Sequence, residues 1–334
     1  MNRWQRIIST VWWFAPVPVV VYIALCYLIL NVTLIALFKL TPFLVAGSAA
    51  FVEPLGEFVV AFDAIAAMWI IFRFLERRSM LESGFNTNKA WSDMAFGFAI
   101  GLALVALMVA AEFLLGVYRP LGLNLHCNLI SPLIVFLFVG VAEEVIFRVA
   151  IFQLLERRVG TWPAFAVSCI IFGLAHMLNN VGGESLPMKL IGCACLMLEA
   201  GIVLNAAFLV RRTLWLGVGM HWAWNFFEGP FFGMPVSGNV IGSTLINVRM
   251  QGPELLTGGK FGPEGSLTGV LLGTIFGVVM LRYAVLHGKA IQAKPTETAR
   301  SQDETPADQS QNHPQNETPA DQSQNHPQNE TPQN

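Results

Sequence analysis

Eight apolar runs divide this sequence, over residues 16–37, 58–75, 95–117, 131–155, 162–180, 188–209, 213–232 and 266–286. Each is close to the roughly 20 residues that a helix needs to cross a hydrocarbon core. A backbone in lipid must satisfy its own N–H and C=O groups, and a run of this length does so by coiling. The expected fold is therefore an all-α polytopic membrane protein, a bundle of about eight transmembrane helices. Composition points the same way: 54% of the 334 residues are hydrophobic and only 13% are charged, with a mean hydropathy of +0.56. These values exclude an ordinary soluble domain. The cysteines Cys26, Cys127, Cys169, Cys193 and Cys195 lie mostly inside apolar runs and form no disulfide framework.

The charges are sorted by loop rather than pooled on one face, so no nucleic-acid partner is expected. With the N-terminus in the cytoplasm, fourteen basic residues fall on the inner side, among them Arg73, Arg77, Arg78, Arg157, Arg158, Arg211 and Arg212. Five fall outside: Lys39, Arg119, Lys189, Arg249 and Lys260. That bias predicts a multi-pass protein of the bacterial inner membrane with both termini cytoplasmic. The first run follows Arg3 and Arg6, is long, and lacks a small-residue cleavage site, so it reads as an anchor rather than a cleaved signal.

Residues 1–290 make up the expected transmembrane domain, and 291–334 are a different material. From Gln302 the chain is rich in Gln, Asn, Pro, Thr, Asp and Glu. The unit ETPADQSQNHPQN starts at Glu304, repeats at Glu317 and begins again at Glu330. Nothing in that unit could bury a face, and a disordered cytoplasmic tail is expected. His313 and His326 recur with the repeat as spacer rather than as metal ligands. Inside the membrane, Gly97 and Gly101 form GxxxG in the third run, and Gly269, Gly273 and Gly277 line one face of the eighth. Small residues at that spacing bring helix backbones close together.

Against this background the ionisable groups stand out, because each costs about 2.5–3.5 kcal/mol at mid-membrane on insertion scales. In VGVAEEVIFRVAIFQLLERR, Glu144 and Arg148 are four apart and share a face, whereas Glu143 is turned roughly 100° away from Glu144. One carboxylate can pair with Arg148. The other then adds a desolvation cost with no partner in its own helix, which marks Glu143 as functional. His176, in IIFGLAHML, taken alone reads equally well as an interhelical hydrogen-bonding group. His221 and Asn225, in GMHWAWNFF, present two polar groups from one helix face, which suits an oxyanion and also suits helix–helix glue. Counted along the helices, these residues permit a common mid-membrane site reached from the cytoplasmic half.

The order EExxxR (Glu143, Glu144, Arg148), FxxxH (Phe172, His176) and HxxxN (His221, Asn225), one motif per helix, resembles the CAAX prenyl endopeptidase type II and bacteriocin-processing group, the CPBP or Abi intramembrane proteases. The resemblance covers a motif core of 131–232. It implies a glutamic-type intramembrane endopeptidase in which Glu143 activates a water and His176 holds and orients it. His221 and Asn225 would stabilise the oxyanion, and Glu144 and Arg148 would position the base. It further implies no cofactor, and a membrane-embedded or lipidated protein or peptide in the bilayer as substrate. Two other readings of the same residues stand beside it. One is a zinc hydrolase with His176, His221 and Glu143 or Glu144 as ligands, although HExxH is absent. The other is a non-catalytic transporter or immunity-type protein, although no internal repeat is visible. The sequence leaves open the substrate, its prenylation and the oligomeric state.

Overall fold

The structure, a computed structural model, describes Phe14 and residues 16–44, 49–179 and 185–292. The repeat-bearing tail lies outside the described residues. All eight apolar runs are helical. Helix α1 is Val17–Leu44. Helix α2 is Ala49–Ile70, carried on through Ile71–Glu76 in wider, π-type turns, and α3 is Ala90–Leu114. Helix α4 runs from Ile130–Glu143 through a π-type stretch, Glu144–Phe152, into Gln153–Val159. Helix α5 is Thr161–Ala175 and ends in the tight turn His176–Leu178. Helix α6 joins Leu186–Leu196, Met197–Gly201 and Ile202–Arg211, of which the middle piece is again π-type. Helix α7 is Trp215–Phe226 with a π-type end, Phe227–Phe231, and α8 is Leu267–Leu286.

Among the described residues five of these rods, α1, α2, α3, α6 and α8, are long and apolar enough to cross a membrane, and α5 is a shorter apolar helix. Their apolar surface is not all inside. Tyr27, Phe62, Trp69, Leu107, Ile275 and Val279 are all at least half exposed, a belt that only lipid can cover. The chain is an integral membrane protein.

Glycines set the closest helix contacts. A Cβ added at Gly97 would run into the Leu216 carbonyl of α7, one at Gly101 into the Met220 carbonyl, and one at Gly219 into the Met94 carbonyl of α3. Helices α3 and α7 are therefore locked backbone to backbone. Along α8, a Cβ at Gly273 would collide with the Glu199 side chain, and one at Gly277 would press on Ile202 and Val203 of α6.

The two ends of the bundle differ. At one end α2, α4, α6 and α8 finish and α3, α5 and α7 begin, and the basic loops gather there. Glu76 pairs with Arg157 and, at 2.7 Å, with Arg158. Arg212 pairs with Glu156 and also donates to the Lys289 carbonyl, and Arg211 lies 3.3 Å from Asp93. At the other end β1 (Tyr118–Leu123) and β2 (Ile246–Met250) form an antiparallel ribbon from Tyr118↔Met250 to Leu123↔Ile246, irregular between Pro120 and Gly122. The ribbon is a departure from an all-α chain. The Tyr118 hydroxyl fastens it to the bundle by donating to the Phe232 carbonyl at 2.9 Å. A second departure is the start of α2, which lies at Ala49 rather than near residue 58 and so brings Glu53 and Glu57 onto one helix face.

Candidate active site

The polar residues of α4 stand where its regular turns give way to π-type turns at Glu144. An inserted turn of this kind re-aims side chains, and such turns are frequent at functional sites. Glu144 and Arg148 both point inward and are fully buried, with Oε1 and Nη1 3.1 Å apart. The pairing expected from their spacing is present. Gly217 of α7 makes room for it, since a Cβ there would touch Glu144 Oε2. The Arg148 guanidinium also lies over the Phe172 ring, 4.5 Å from its centroid, and reaches the Ala200 carbonyl at 3.5 Å.

His221 bridges the two carboxylates. Its Nδ1 is 3.3 Å from Glu144 Oε1, and its Nε2 is 3.7 Å from Glu143 Oε2. The second distance is longer than a hydrogen bond, so Glu143 faces the ring without being bonded to it. Glu143 is the only one of the three with appreciable exposure, at 26% of its side chain. That exposure is to a cavity of about 420 Å³ lined also by His176, His221 and Asn225. His176 caps α5 and is oriented by its own helix, with Nδ1 donating to the Phe172 carbonyl at 2.8 Å. In the neutral ring that leaves Nε2 as the acceptor. Asn225 is buried on α7 one turn beyond His221. Phe172 stands between these groups, with ring centroids 4.8 Å from His176 and 6.3 Å from His221.

All six residues singled out in the sequence thus meet at one place: Glu143, His176, His221 and Asn225 on the cavity, and Glu144 and Arg148 directly behind His221. Among the described residues no three His, Cys, Asp or Glu side chains are grouped so as to hold a metal ion.

One expectation is overturned. The cavity wall includes Glu53 near the start of α2, Asn179 just after α5, Val236 to Ile241 after α7, and Glu264 before α8. These all lie at the ribbon end of the bundle. The site therefore opens away from the basic loops, whereas helix-depth counting permits entry from the basic-loop half. Depth counting misses this because α5 carries His176 at its far end, just past Ala175, and α7 carries Asn225 in its second half.

Other residues of the site had not been singled out in the sequence. Glu57, which shares a face of α2 with Glu53, and Glu199, a lone carboxylate inside apolar α6, line the cavity, as does Glu264 from a loop. Glu264 Oε2 accepts from Ser237 N at 2.6 Å and Ser237 Oγ at 2.7 Å, and Asn179 Nδ2 donates to the Ser237 carbonyl at 2.8 Å. For Glu199 the usable signal was the one that exposed Glu143, an ionisable group without a helix partner.

Residues 126–227 match the family model described as type II CAAX prenyl endopeptidase Rce1-like. No curated protein and no solved structure matches the chain. The matched segment begins just before α4, ends in α7, and contains Glu143, Glu144, Arg148, His176, His221 and Asn225. Over residues 126–227 the chain is therefore similar to the type II CAAX prenyl endopeptidase Rce1-like family.

Proposed function

We propose that the chain is an intramembrane endopeptidase whose general base is Glu143. The carboxylate takes a proton from a water held by His176 Nε2, and the resulting hydroxide adds to the scissile carbonyl. His221 and Asn225 stabilise the oxyanion that forms. The C–N bond then breaks as Glu143 returns the proton to the leaving amine, giving a carboxylic acid and an amine with no net proton taken up by the protein. Glu144 fixes the orientation of His221 through Nδ1, and Arg148 neutralises Glu144. Substrates of this chemistry are membrane-embedded or lipidated proteins, and no metal takes part.

The observation that carries this reading is the bridge of His221 between the two carboxylates, with only Glu143 exposed to the cavity. A proton relay for transport would instead need titratable groups continuing toward the second membrane face, whereas at the basic end the carboxylates Glu76, Glu156 and Asp93 are taken up in ion pairs with Arg157, Arg158, Arg212 and Arg211. The test is Glu143→Ala in purified full-length protein. Peptidase activity is expected to fall by about 10²- to 10⁴-fold with the melting temperature retained, and the wild-type preparation is expected to contain well under one zinc per chain. Undiminished turnover in Glu143→Ala, or stoichiometric zinc lost with His221→Ala, would refute the assignment.

A further inference from the structure

The charge on the cavity wall goes beyond what hydrolysis needs. Among the described residues five glutamates line it, Glu53, Glu57, Glu143, Glu199 and Glu264, and no lysine or arginine does. Arg148 is fully buried in its pair with Glu144 and is not part of the wall. Glu199 and Glu264 have no part in the hydrolytic steps, yet both are held there at 2% and 3% exposure. Gly273 supplies the space for Glu199, because any Cβ at that position would meet its Cγ. Glu264 is fixed by the two hydrogen bonds from Ser237, a non-glycine residue kept in the left-handed region at φ 47°.

Glu199 Oε2 is shut from solvent and has no hydrogen-bond partner. A carboxylate in that state is costly unless a cation or a proton joins it. Several carboxylates around one low-dielectric cavity also focus a negative field, which draws in cations and repels anions. A free C-terminal carboxylate entering this cavity would face like charge with no lysine or arginine among the described wall residues to receive it.

Resting on the peptidase reading of the cavity, we propose that its substrate is an internal peptide segment carrying a lysine or arginine side chain beside the scissile bond, with Glu199 and Glu264 as the partners of that cation. Burial pushes the Glu264 carboxyl up in spite of its bonds from Ser237, and a cation beside it would favour the ionised form. A chain that ends in a free carboxylate close to the scissile bond is the disfavoured substrate.

The experiment uses the full chain in lipid nanodiscs and one peptide sequence with arginine, norleucine or glutamate flanking the scissile position, each as C-terminal amide and as free acid. Equilibrium binding is read by fluorescence anisotropy on Glu143→Ala protein, and kcat/KM is read on the wild type. The arginine amide is expected to bind, and to be cut, about tenfold or more better than the norleucine amide, with the glutamate peptide weaker still. Glu199→Gln is expected to bring the arginine-to-norleucine ratio toward one, and Glu264→Gln provides the same reading if the first variant fails to fold. Equal binding of arginine and norleucine peptides, tighter binding of the free acids, or no binding of any peptide overturns the proposal. Binding with the arginine preference but without cleavage overturns the peptidase reading alone. Cleavage without any charge preference overturns only the present inference.

Discussion

Glu144 is constrained from two sides, by Arg148 at 3.1 Å and by His221 Nδ1 at 3.3 Å, and this double constraint separates a structural duty from a positioning one. Removing one partner of a buried ion pair leaves the other charge uncompensated, at about 3–5 kcal/mol. Glu144→Gln is therefore expected to lower the melting temperature sharply and to reduce peptidase activity. In Glu144→Gln/Arg148→Met neither charge remains, so thermal stability should largely return while activity stays low, because His221 still lacks its carboxylate partner. Thermal unfolding and peptide cleavage measured on the same preparations check this, and full activity in the double variant would remove Glu144 from the site. Four motif residues were legible because helical spacing puts Glu144 with Arg148 and His221 with Asn225, Glu143 stood out as a carboxylate without a helix partner, and His176 was legible only through the motif resemblance. Glu199 offers only the signal of a lone carboxylate in an apolar run, with no charged residue four away to complete a pattern. Glu264 was hidden more deeply, because it follows the turn-like Gly258–Pro263 and reads as loop surface.

At the level of elements, the four π-type segments share a property: each contains a carboxylate, Glu76, Glu144, Glu199 or Glu228. Wider turns let the backbone accommodate a polar side chain facing a packed neighbour. No local residue preference announces such a turn, which is why the sequence showed the rods and not their irregularities. The ribbon was illegible for a related reason, since its register joins Tyr118 to Met250 and depends on what packs around both. The start of α2 was masked by Glu53, Pro54 and Glu57, which read as loop until the cavity they border is seen. The glycine contacts were legible and lead to a prediction. Gly97→Leu would wedge α3 away from the α7 backbone that carries His221 and Asn225, so stability and activity should both fall. Overpacking of this kind costs about 1–3 kcal/mol. Gly56→Ala, in an open stretch of α2, should instead leave the melting temperature unchanged or slightly raised, because alanine favours a helix by about 1 kcal/mol. Similar unfolding temperatures for Gly97→Leu and the wild type would show that α3 and α7 are not in close contact.

For the whole molecule, basic loops and cavity mouth occupy opposite ends, and the charge bias predicts that the basic end faces the cytoplasm. Single cysteines read this directly. Val240→Cys, at a position 83% exposed on the cavity rim, should react with a membrane-impermeant maleimide in intact cells stripped of their wall. Ser79→Cys, exposed at the basic end, should react only in inverted vesicles. The reverse pattern would turn the protein over, and labelling of both from one side would break the assignment of ends. The ion-paired end has a mechanical meaning as well. Glu76 grips two arginines of α4, Glu156 grips Arg212, and Asp93 meets Arg211, so four helices are pinned at one point as the arms of tweezers are pinned at the pivot. Rotation about such a pivot produces the largest displacement at the far tips, where Glu53 and Val240 flank the entrance, and almost none at the arginines themselves. Any opening of the bundle would thus be levered from a fixed end, with the aperture widening in proportion to its distance from the pins.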